Sequence, residues 1–302
     1  MPLNWLIRLL PGLLLALSGC SDVPRSIPET DSNNAYLLAV KLVAFGKRYS
    51  GTEENRKQAD FIVAKASEYG ASVSVDRFAC RTAGGLIEFA NITAEIKGKS
   101  SDFIIIGSHY DIKKIATVPD FEGANDSASS SALLLEMIRA INVSGYVPPV
   151  TLKFVFFDGE ECQMAYSEND GLWGSRNYAE KLKKTGLIEK CKAVIVLDMI
   201  GDADLGVTLP VNSDSKLVEN VLNSAGKLGY GQYFSMKIFE ILDDHQPFMQ
   251  QGIPAVDIID FEYGPGNAYW HTGADKIDKI SRKSLKIVGD CVLRLVLSSI
   301  YW

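Results

Sequence analysis

The chain has 302 residues, of which 47% are hydrophobic and 23% are charged, a composition ordinary for a globular protein with one large or two small domains. The formal net charge is -6, and no cluster of Lys and Arg alternates with aromatic residues. Nucleic-acid-binding proteins need such a basic surface, so the sequence argues against a nucleic acid partner.

Residues 1–19 are predicted to be a secretory signal peptide rather than part of the fold. They contain Arg8, an apolar stretch at 9–17 that is too short to span a bilayer, and small residues at the end. The sequence LSGC at 17–20 resembles the lipobox of bacterial lipoproteins, which implies that Cys20 is lipidated and anchors the protein in the bacterial cell envelope. An ordinary signal peptide with an incidental cysteine is the main alternative, and a transmembrane helix is a weaker one.

Residues 20–34 are predicted to be the lipidated cysteine and a flexible tether, because 22–34 is polar and contains two prolines. The folded domain is therefore expected to start near Ala35. The other cysteines are Cys80, Cys162, Cys191 and Cys291, and none of them forms a CxxC or metal-type spacing. Buried free thiols and a disulfide both remain open for these four residues.

Helices and strands alternate along the rest of the chain. Helical apolar spacing at 34–45 and 53–69 predicts two opening helices. Short apolar runs then predict strands at 103–107, 151–157, 193–197 and 253–259, and helical patterns occupy 127–141, 175–184, 215–228 and 281–298. This alternation predicts an α/β fold, a three-layer α/β/α sandwich whose central, mostly parallel mixed sheet is covered on both faces. No internal repeat or second linker interrupts 35–302, which is predicted to be a single catalytic domain.

Polar clusters follow the predicted strands, at the edge where ligand sites of open α/β sheets gather. They are SHYD at 108–111, DGEE at 158–161 and DMIG at 198–201, and two further clusters are GAND at 123–126 and YWHT at 269–272. The 3 histidines, His109, His245 and His271, all lie in polar clusters. Imidazoles and carboxylates that converge at one sheet edge suit zinc, which accepts N and O ligands and keeps an open position in catalytic sites.

Two adjacent carboxylates, Glu160 and Glu161, directly follow a buried strand. Desolvation and mutual repulsion make such a pair unfavourable near a core. The pair is explained if the two carboxylates have different roles, one coordinating a metal and the other moving protons.

Each residue also has a simpler interpretation when taken alone. Asp126 and Asp244 could cap helices, and Asp198 could close a turn. A lone histidine is more often structural than a ligand. The coincidence of these residues at corresponding strand ends favours a site, and the competing motifs HExxH and GxSxG are absent from the sequence.

Five segments, IIIGSHYD, GANDSASS, FFDGEE, VLDMIG and YWHT, resemble in this order the motifs of the zinc exopeptidase clan that contains the co-catalytic aminopeptidases and the animal-type glutaminyl cyclases. The resemblance covers essentially all of 35–302. The aminopeptidase pattern implies two zinc ions, one on His109, Asp126 and Asp198 and a second on Asp126, Glu161 and His271. The cyclase pattern implies a single zinc on Asp126, Glu161 and His271, with Glu160 as proton shuttle.

Three features resemble the cyclase branch. They are the insertion CQMAYSEND after Glu161, the segment DDHQPF at 243–248 and Trp270 directly before His271. Three departures are Tyr166, where cyclases often have Trp, Asp257, where animal cyclases have His, and Ser108, where some animal enzymes have a disulfide-bonded Cys.

The cyclase resemblance also implies details of the site. Trp270, Tyr166 and Phe248 would form an aromatic substrate pocket, and the Asp126-Ser127 peptide bond would be cis. Asp198 and Asp243 would act in catalysis as a hydrogen-bonded pair that shares a proton, because two carboxylates in contact cannot both stay ionised.

The function expected from the resemblance is a zinc enzyme, a monomer, that acts on the N-termini of peptides or proteins. Glutaminyl-peptide cyclisation, which forms pyroglutamate and releases ammonia, is the first expectation. An aminopeptidase is the enzymatic alternative, with two zinc ions instead of one. A zinc-stabilised binding lipoprotein without catalysis is the third possibility.

Overall fold

The computed structural model describes residues 26–167 and 170–298. The predicted signal peptide and Cys20 lie outside these residues, so export and the lipid anchor stay predictions, which fatty-acid labelling of the wild type and of Cys20→Ala would check. Among the described residues, none of the helices combines the length and the apolar character that a bilayer-spanning segment needs.

The described residues form seven α-helices and eight strands. The helices are α1 (Ser32–Val43), α2 (Glu53–Glu68), α3 (Ser130–Ser144), α4 (Trp173–Lys184), α5 (Ser215–Lys227), α6 (Gln246–Gln250) and α7 (Arg282–Leu297). The strands are β1 (Ser72–Thr82), β2 (Gly85–Ile96), β3 (Ser100–His109), β4 (Val150–Phe157), β5 (Cys191–Asp198), β6 (Val207–Leu209), β7 (Phe234–Met236) and β8 (Ala255–Ile259).

All eight strands belong to one sheet, in the order β1-β2-β4-β3-β5-β8-β6-β7. The central pairs β3/β4, β3/β5 and β5/β8 are parallel, as is β6/β7, whereas β1/β2, β2/β4 and β6/β8 are antiparallel. The predicted mostly parallel mixed sheet is therefore confirmed.

Helices cover both faces of the sheet. Along β3, Ile104 and Ile106 pack into the larger core cluster, whose helical members come from α1, α2, α3, α5 and α7. The alternate residues Phe103 and Ile105 pack into a second cluster, which α4 and α6 supply. Both faces of the strand are thus buried, which explains its continuous apolar run and confirms the three-layer sandwich.

The folded domain includes residues before Ala35, so the predicted domain boundary lies too far along the chain. Thr30 is buried, and its backbone N–H and its hydroxyl both donate to the Asp290 carboxylate at 2.8 Å. The Asp31 carboxylate caps α1 by accepting the backbone N–H groups of Asn33 and Asn34. Part of the polar composition of this segment therefore reflects the cap of α1.

Strands β1, β2, β6 and β7 were not predicted from the sequence. Most residues of β1 are exposed or half-buried, and β6 and β7 contain three residues each, so none of these three gives a strong apolar run. The cysteine alternatives are also resolved, since Cys80, Cys162, Cys191 and Cys291 are all free thiols.

Candidate active site

The sheet brings the predicted site residues to one edge. His109 is the last residue of β3 and Asp198 is the last residue of β5, which lies beside it. Glu160 and Glu161 follow β4, the neighbour of β3 on the other side. Because the carboxyl ends of parallel strands meet at one edge, side chains distant in sequence lie together there.

Asp111 holds the loop that carries the two glutamates. Its carboxylate accepts the backbone N–H groups of Gly159 at 2.9 Å, Glu160 at 3.2 Å and Glu161 at 3.3 Å. Gly159 has φ +78°, and a Cβ atom there would lie 2.4 Å from the Phe89 ring, so the turn requires glycine. Asp111 is recognisable in the sequence only as a member of the polar cluster at 108–111, and its role in holding this loop was not predicted.

Asp126 lies in a separate turn and is not the cap of a helix. The turn spans Ala124–Ser129, and α3 begins only at Ser130. The Asp126-Ser127 peptide bond is cis, as the sequence analysis predicted.

Asp275 fixes the Asp126 turn from the other side. Its carboxylate accepts the backbone N–H of Asn125 at 2.8 Å and that of Asp126 at 3.3 Å, and it also accepts the Tyr263 hydroxyl at 2.9 Å. This residue was not predicted, because a contact across 150 positions leaves no local sequence signal.

Two groups of potential metal ligands share Asp126. In the first group, the Nε2 atom of His109 lies 3.2 Å from Asp126 Oδ1 and 3.2 Å from Asp198 Oδ1. In the second group, the Nε2 atom of His271 lies 3.2 Å from Asp126 Oδ2 and 3.2 Å from Glu161 Oε1. The two Asp126 oxygens therefore face different groups, as a bridging carboxylate would.

Both groups fit a zinc ion. The single hydrogen on an imidazole Nε2 can point at only one oxygen, yet each Nε2 faces two carboxylates at the same distance. Ligands held at zinc distances in a tetrahedron lie roughly 3.3 Å apart, close to the separations found here. The arrangement of N and O atoms is thus that of ligands around a cation.

The electrostatics of the groups also favour positive charge at their centres. Burial disfavours the charged form of Asp126, but hydrogen bonds and charge from His109 and His271 outweigh it and lower the pKa of this carboxyl. Burial likewise disfavours the His271 imidazolium, yet Asp126 and Glu161 raise its pKa to about 10. Protons on the imidazoles balance the negative charge of the carboxylates here, and a metal cation would serve the same purpose.

Glu160 belongs to neither group and has a different environment. It is buried, and burial together with the charge of Glu161 raises its pKa well above the usual range. One of its oxygens, Oε2, accepts the Tyr166 hydroxyl at 3.0 Å. A carboxyl group that takes up a proton readily and lies beside a metal group is suited to proton transfer.

The predicted proton-sharing pair of Asp198 and Asp243 stays a prediction. Asp243 Oδ1 accepts the backbone N–H of Asp244 at 2.5 Å, and the Asp243 side chain also lies within hydrogen-bond reach of Asp257. Asp198 Oδ1 lies 3.2 Å from His109 Nε2. Burial, together with the charge of Asp198, raises the pKa of Asp243 well above its usual range, as expected when one of two neighbouring carboxyl groups holds a proton.

The third histidine, His245, lies close to Asp243 and Asp257. Burial lowers its pKa to about 4, so the ring is neutral. The Gln246 side-chain amide donates to Asn212 O at 3.2 Å and contacts His245 Nε2 at 2.9 Å, which makes Nε2 an acceptor. With Nε2 as the acceptor, the ring proton is on Nδ1, 4.0 Å from Asp257.

A cavity of about 220 Å³ opens beside Glu160 and the ligand groups. Tyr166 and Trp270 line it, as predicted, and the Trp270 ring stacks on His271 with centroids 4.2 Å apart. Phe248 does not reach the cavity. It is fully buried against Phe157 and Tyr178, because α6 directs it into the core under the sheet.

The sequence matches Peptidase family M28 over residues 91–296. The chain belongs to this family. Its members are zinc-dependent enzymes, and the two ligand groups of this chain agree with that chemistry.

Relatives of this family member include both cyclases and a protein named as an aminopeptidase. A glutaminyl-peptide cyclotransferase from Boiga irregularis is 28% identical over 249 residues, which cover 72% of this chain and 67% of that protein. The crystal structure of an Acidobacteriales bacterium glutaminyl cyclase is 33% identical, with TM-score 0.83 over 90% of this chain and 96% of that one. A leucine aminopeptidase precursor from Bacteroides thetaiotaomicron is 27% identical, with TM-score 0.82 over 91% and 99% of the two chains.

Proposed function

We propose that the protein is a zinc-dependent glutaminyl-peptide cyclotransferase, which converts the N-terminal glutamine of peptides to pyroglutamate and releases ammonia. The observation that carries this proposal is the small aromatic cavity that ends at Glu160 and the metal-ligand group of Asp126, Glu161 and His271. The names of the cyclase relatives from Boiga irregularis and the Acidobacteriales bacterium support it.

The cavity is suited to one side chain. Its volume of about 220 Å³ is below the roughly 300–1,000 Å³ of pockets for drug-sized ligands. Trp270, Phe261 and Tyr166 supply aromatic walls, and Ile241 and Leu242 add apolar surface. The side chain of an N-terminal glutamine would fill this space. The rest of the peptide, beyond the backbone carbonyl of that glutamine, would stay outside.

Asp126, Glu161 and His271 would hold the zinc ion of the cyclase. When bound, this ion polarises the side-chain carbonyl of the substrate glutamine. The α-amino nitrogen then forms a bond to the side-chain carbonyl carbon, and the bond from that carbon to the amide nitrogen breaks.

Glu160 would carry the proton between the two nitrogens. It accepts a proton from the attacking α-amine and returns it to the leaving nitrogen, which departs as ammonia, so that no water is consumed. The position of Glu160 on the cavity wall, next to but outside the ligand group, supports this assignment.

Aminopeptidase action is the second candidate, because the group of His109, Asp126 and Asp198 could hold another metal ion. In that reaction Glu160 would take a proton from a water molecule that attacks the first peptide bond. Binding without catalysis is the weakest candidate, since metal retention alone does not need a buried carboxyl such as Glu160.

The products of two peptides decide between the reactions. We expect a Gln-initiated peptide to lose the mass of one ammonia and a Leu-initiated peptide to remain intact, as followed by mass spectrometry. Release of free Leu without any pyroglutamyl product would contradict the proposal and favour the aminopeptidase.

The metal content provides a second test. We expect the purified protein to hold one zinc per chain and His109→Ala to retain it, because His109 belongs only to the first group. Elemental analysis of both proteins checks this. Two equivalents in the wild type, with one lost in His109→Ala, would favour the two-metal enzyme.

A further inference from the structure

The Tyr166 hydroxyl lies between the two adjacent glutamates. Its oxygen is 3.0 Å from Glu160 Oε2 and 3.0 Å from Glu161 Oε2. The ring packs closely against Gly171, where an added Cβ atom would lie 2.7 Å from it, and the φ of +84° at this position also favours glycine. This tyrosine therefore links the proposed proton carrier to a proposed metal ligand.

Lys113 contacts the same oxygen of Glu161 from a second direction. Its ammonium nitrogen lies 3.2 Å from Glu161 Oε2 and 4.8 Å from the centroid of the Tyr166 ring, an arrangement in which the cation also faces the aromatic π-system. The Lys113 side chain is largely shielded from solvent, so solvent weakens its interaction with Glu161 less than at an exposed pair.

The two oxygens of Glu161 have different partners. Oε1 faces His271, on the side of the ligand group, whereas Oε2 is held by Tyr166 and Lys113. Among the described residues, the imidazole of His271 is therefore the one group that faces Oε1, and this oxygen remains available to a metal. Outer contacts of this kind orient a metal-ligating carboxylate and strengthen its binding.

We propose that Tyr166 and Lys113 are a positioning pair, which fixes Glu161 so that it binds zinc through Oε1 alone, and that the Tyr166 hydroxyl also holds Glu160 during proton transfer. The second part rests on the proposed function, whereas the first does not depend on which reaction the enzyme performs.

The hydroxyl group suits both states of Glu160. A phenol donates one hydrogen bond and can also accept one. It can donate to Glu160 while that residue is a carboxylate, and Lys113 alone then holds Glu161 Oε2. Once Glu160 carries the substrate proton, the acid can donate to the phenol oxygen, and the phenol proton is then available to Glu161 Oε2. The Glu160 side chain thus has a partner before and after it takes the proton.

Tyr166→Phe tests the pair because it keeps the ring and removes only the hydroxyl. We expect kcat to fall by roughly tenfold to a hundredfold with little change in KM, since a hydrogen bond to a charged group is lost at the reacting centre. We also expect the dissociation constant of zinc, measured by chelator competition, to rise about tenfold. Lys113→Met should weaken zinc binding in the same assay.

Tyr230→Phe is the matched control, since Tyr230 packs against the core and contacts neither ligand group. It should keep the kcat and zinc affinity of the wild type. Melting curves of the metal-free proteins establish that each variant is folded.

Different results would overturn the two parts separately. A rise in KM at unchanged kcat in Tyr166→Phe would make Tyr166 only a wall of the substrate pocket. Wild-type zinc affinity in both Tyr166→Phe and Lys113→Met would show that these two residues do not position Glu161. If the wild type cyclises no peptide, the proposed function fails, but the zinc measurements still test the positioning of Glu161.

Discussion

Glu160→Gln is expected to lower turnover by roughly 100-fold or more, while metal content and melting temperature stay near those of the wild type. Glutamine has almost the same shape as glutamate but cannot accept a proton at neutral pH. Glu160 lies outside both ligand groups, so its replacement should not release the metal. Steady-state kinetics on a Gln-initiated peptide, with elemental analysis of the same sample, measures both properties.

Glu189→Gln is the matched control for this experiment. Glu189 is an exposed carboxylate that neither lines the cavity nor belongs to a ligand group. Its variant should turn over substrate at close to the wild-type rate. Equal activity of Glu160→Gln and the wild type would remove Glu160 from the reaction.

Asp126→Ala should have the largest effect on the metal, because its two oxygens face both ligand groups. We expect the variant to lose bound zinc entirely and, with it, activity. Its melting temperature should also fall towards that of the metal-free wild type, since a metal that binds only the folded state stabilises that state. Elemental analysis and thermal unfolding with and without a chelator would show these changes.

Glu161→Ala and His271→Ala are expected to lose the same zinc, because they complete the group with Asp126. Asp204→Ala provides a control for the removal of an acidic side chain, since Asp204 is exposed. Full metal retention in the Asp126, Glu161 and His271 variants would show that the ligands lie elsewhere.

The central strands could be predicted from the sequence because they are buried on both faces. The run at 151–157 corresponds to β4, whose alternate residues fill two different core clusters. The same argument placed His109, Asp198 and Glu161 at a common edge, since each follows or ends a parallel strand. The spacing of apolar residues can be read from a single sequence, and it indicates which strands are buried.

The details that the sequence did not reveal depend on the direction of side chains and on contacts between residues distant in the sequence. Phe248 lies in the segment that resembles the cyclases, but its side chain points into the core rather than the cavity. Asp111 supports the glutamate loop across 48 positions through backbone N–H groups, which have no residue-type signature. Tyr166 was predicted as a substrate wall, and only the structure shows its hydroxyl between the two glutamates.

The order of strands in the sheet links catalysis to the folding of the whole domain. His109 and Asp198 end the adjacent central strands β3 and β5, Glu161 follows β4, and His271 comes after β8, so the ligands are assembled only when these strands have paired. No continuous fragment of the chain supplies a complete ligand set from neighbouring positions. Enzymatic activity during denaturation would therefore report cooperative unfolding of the sheet, and a nascent or truncated chain would stay inactive until β8 had docked beside β5.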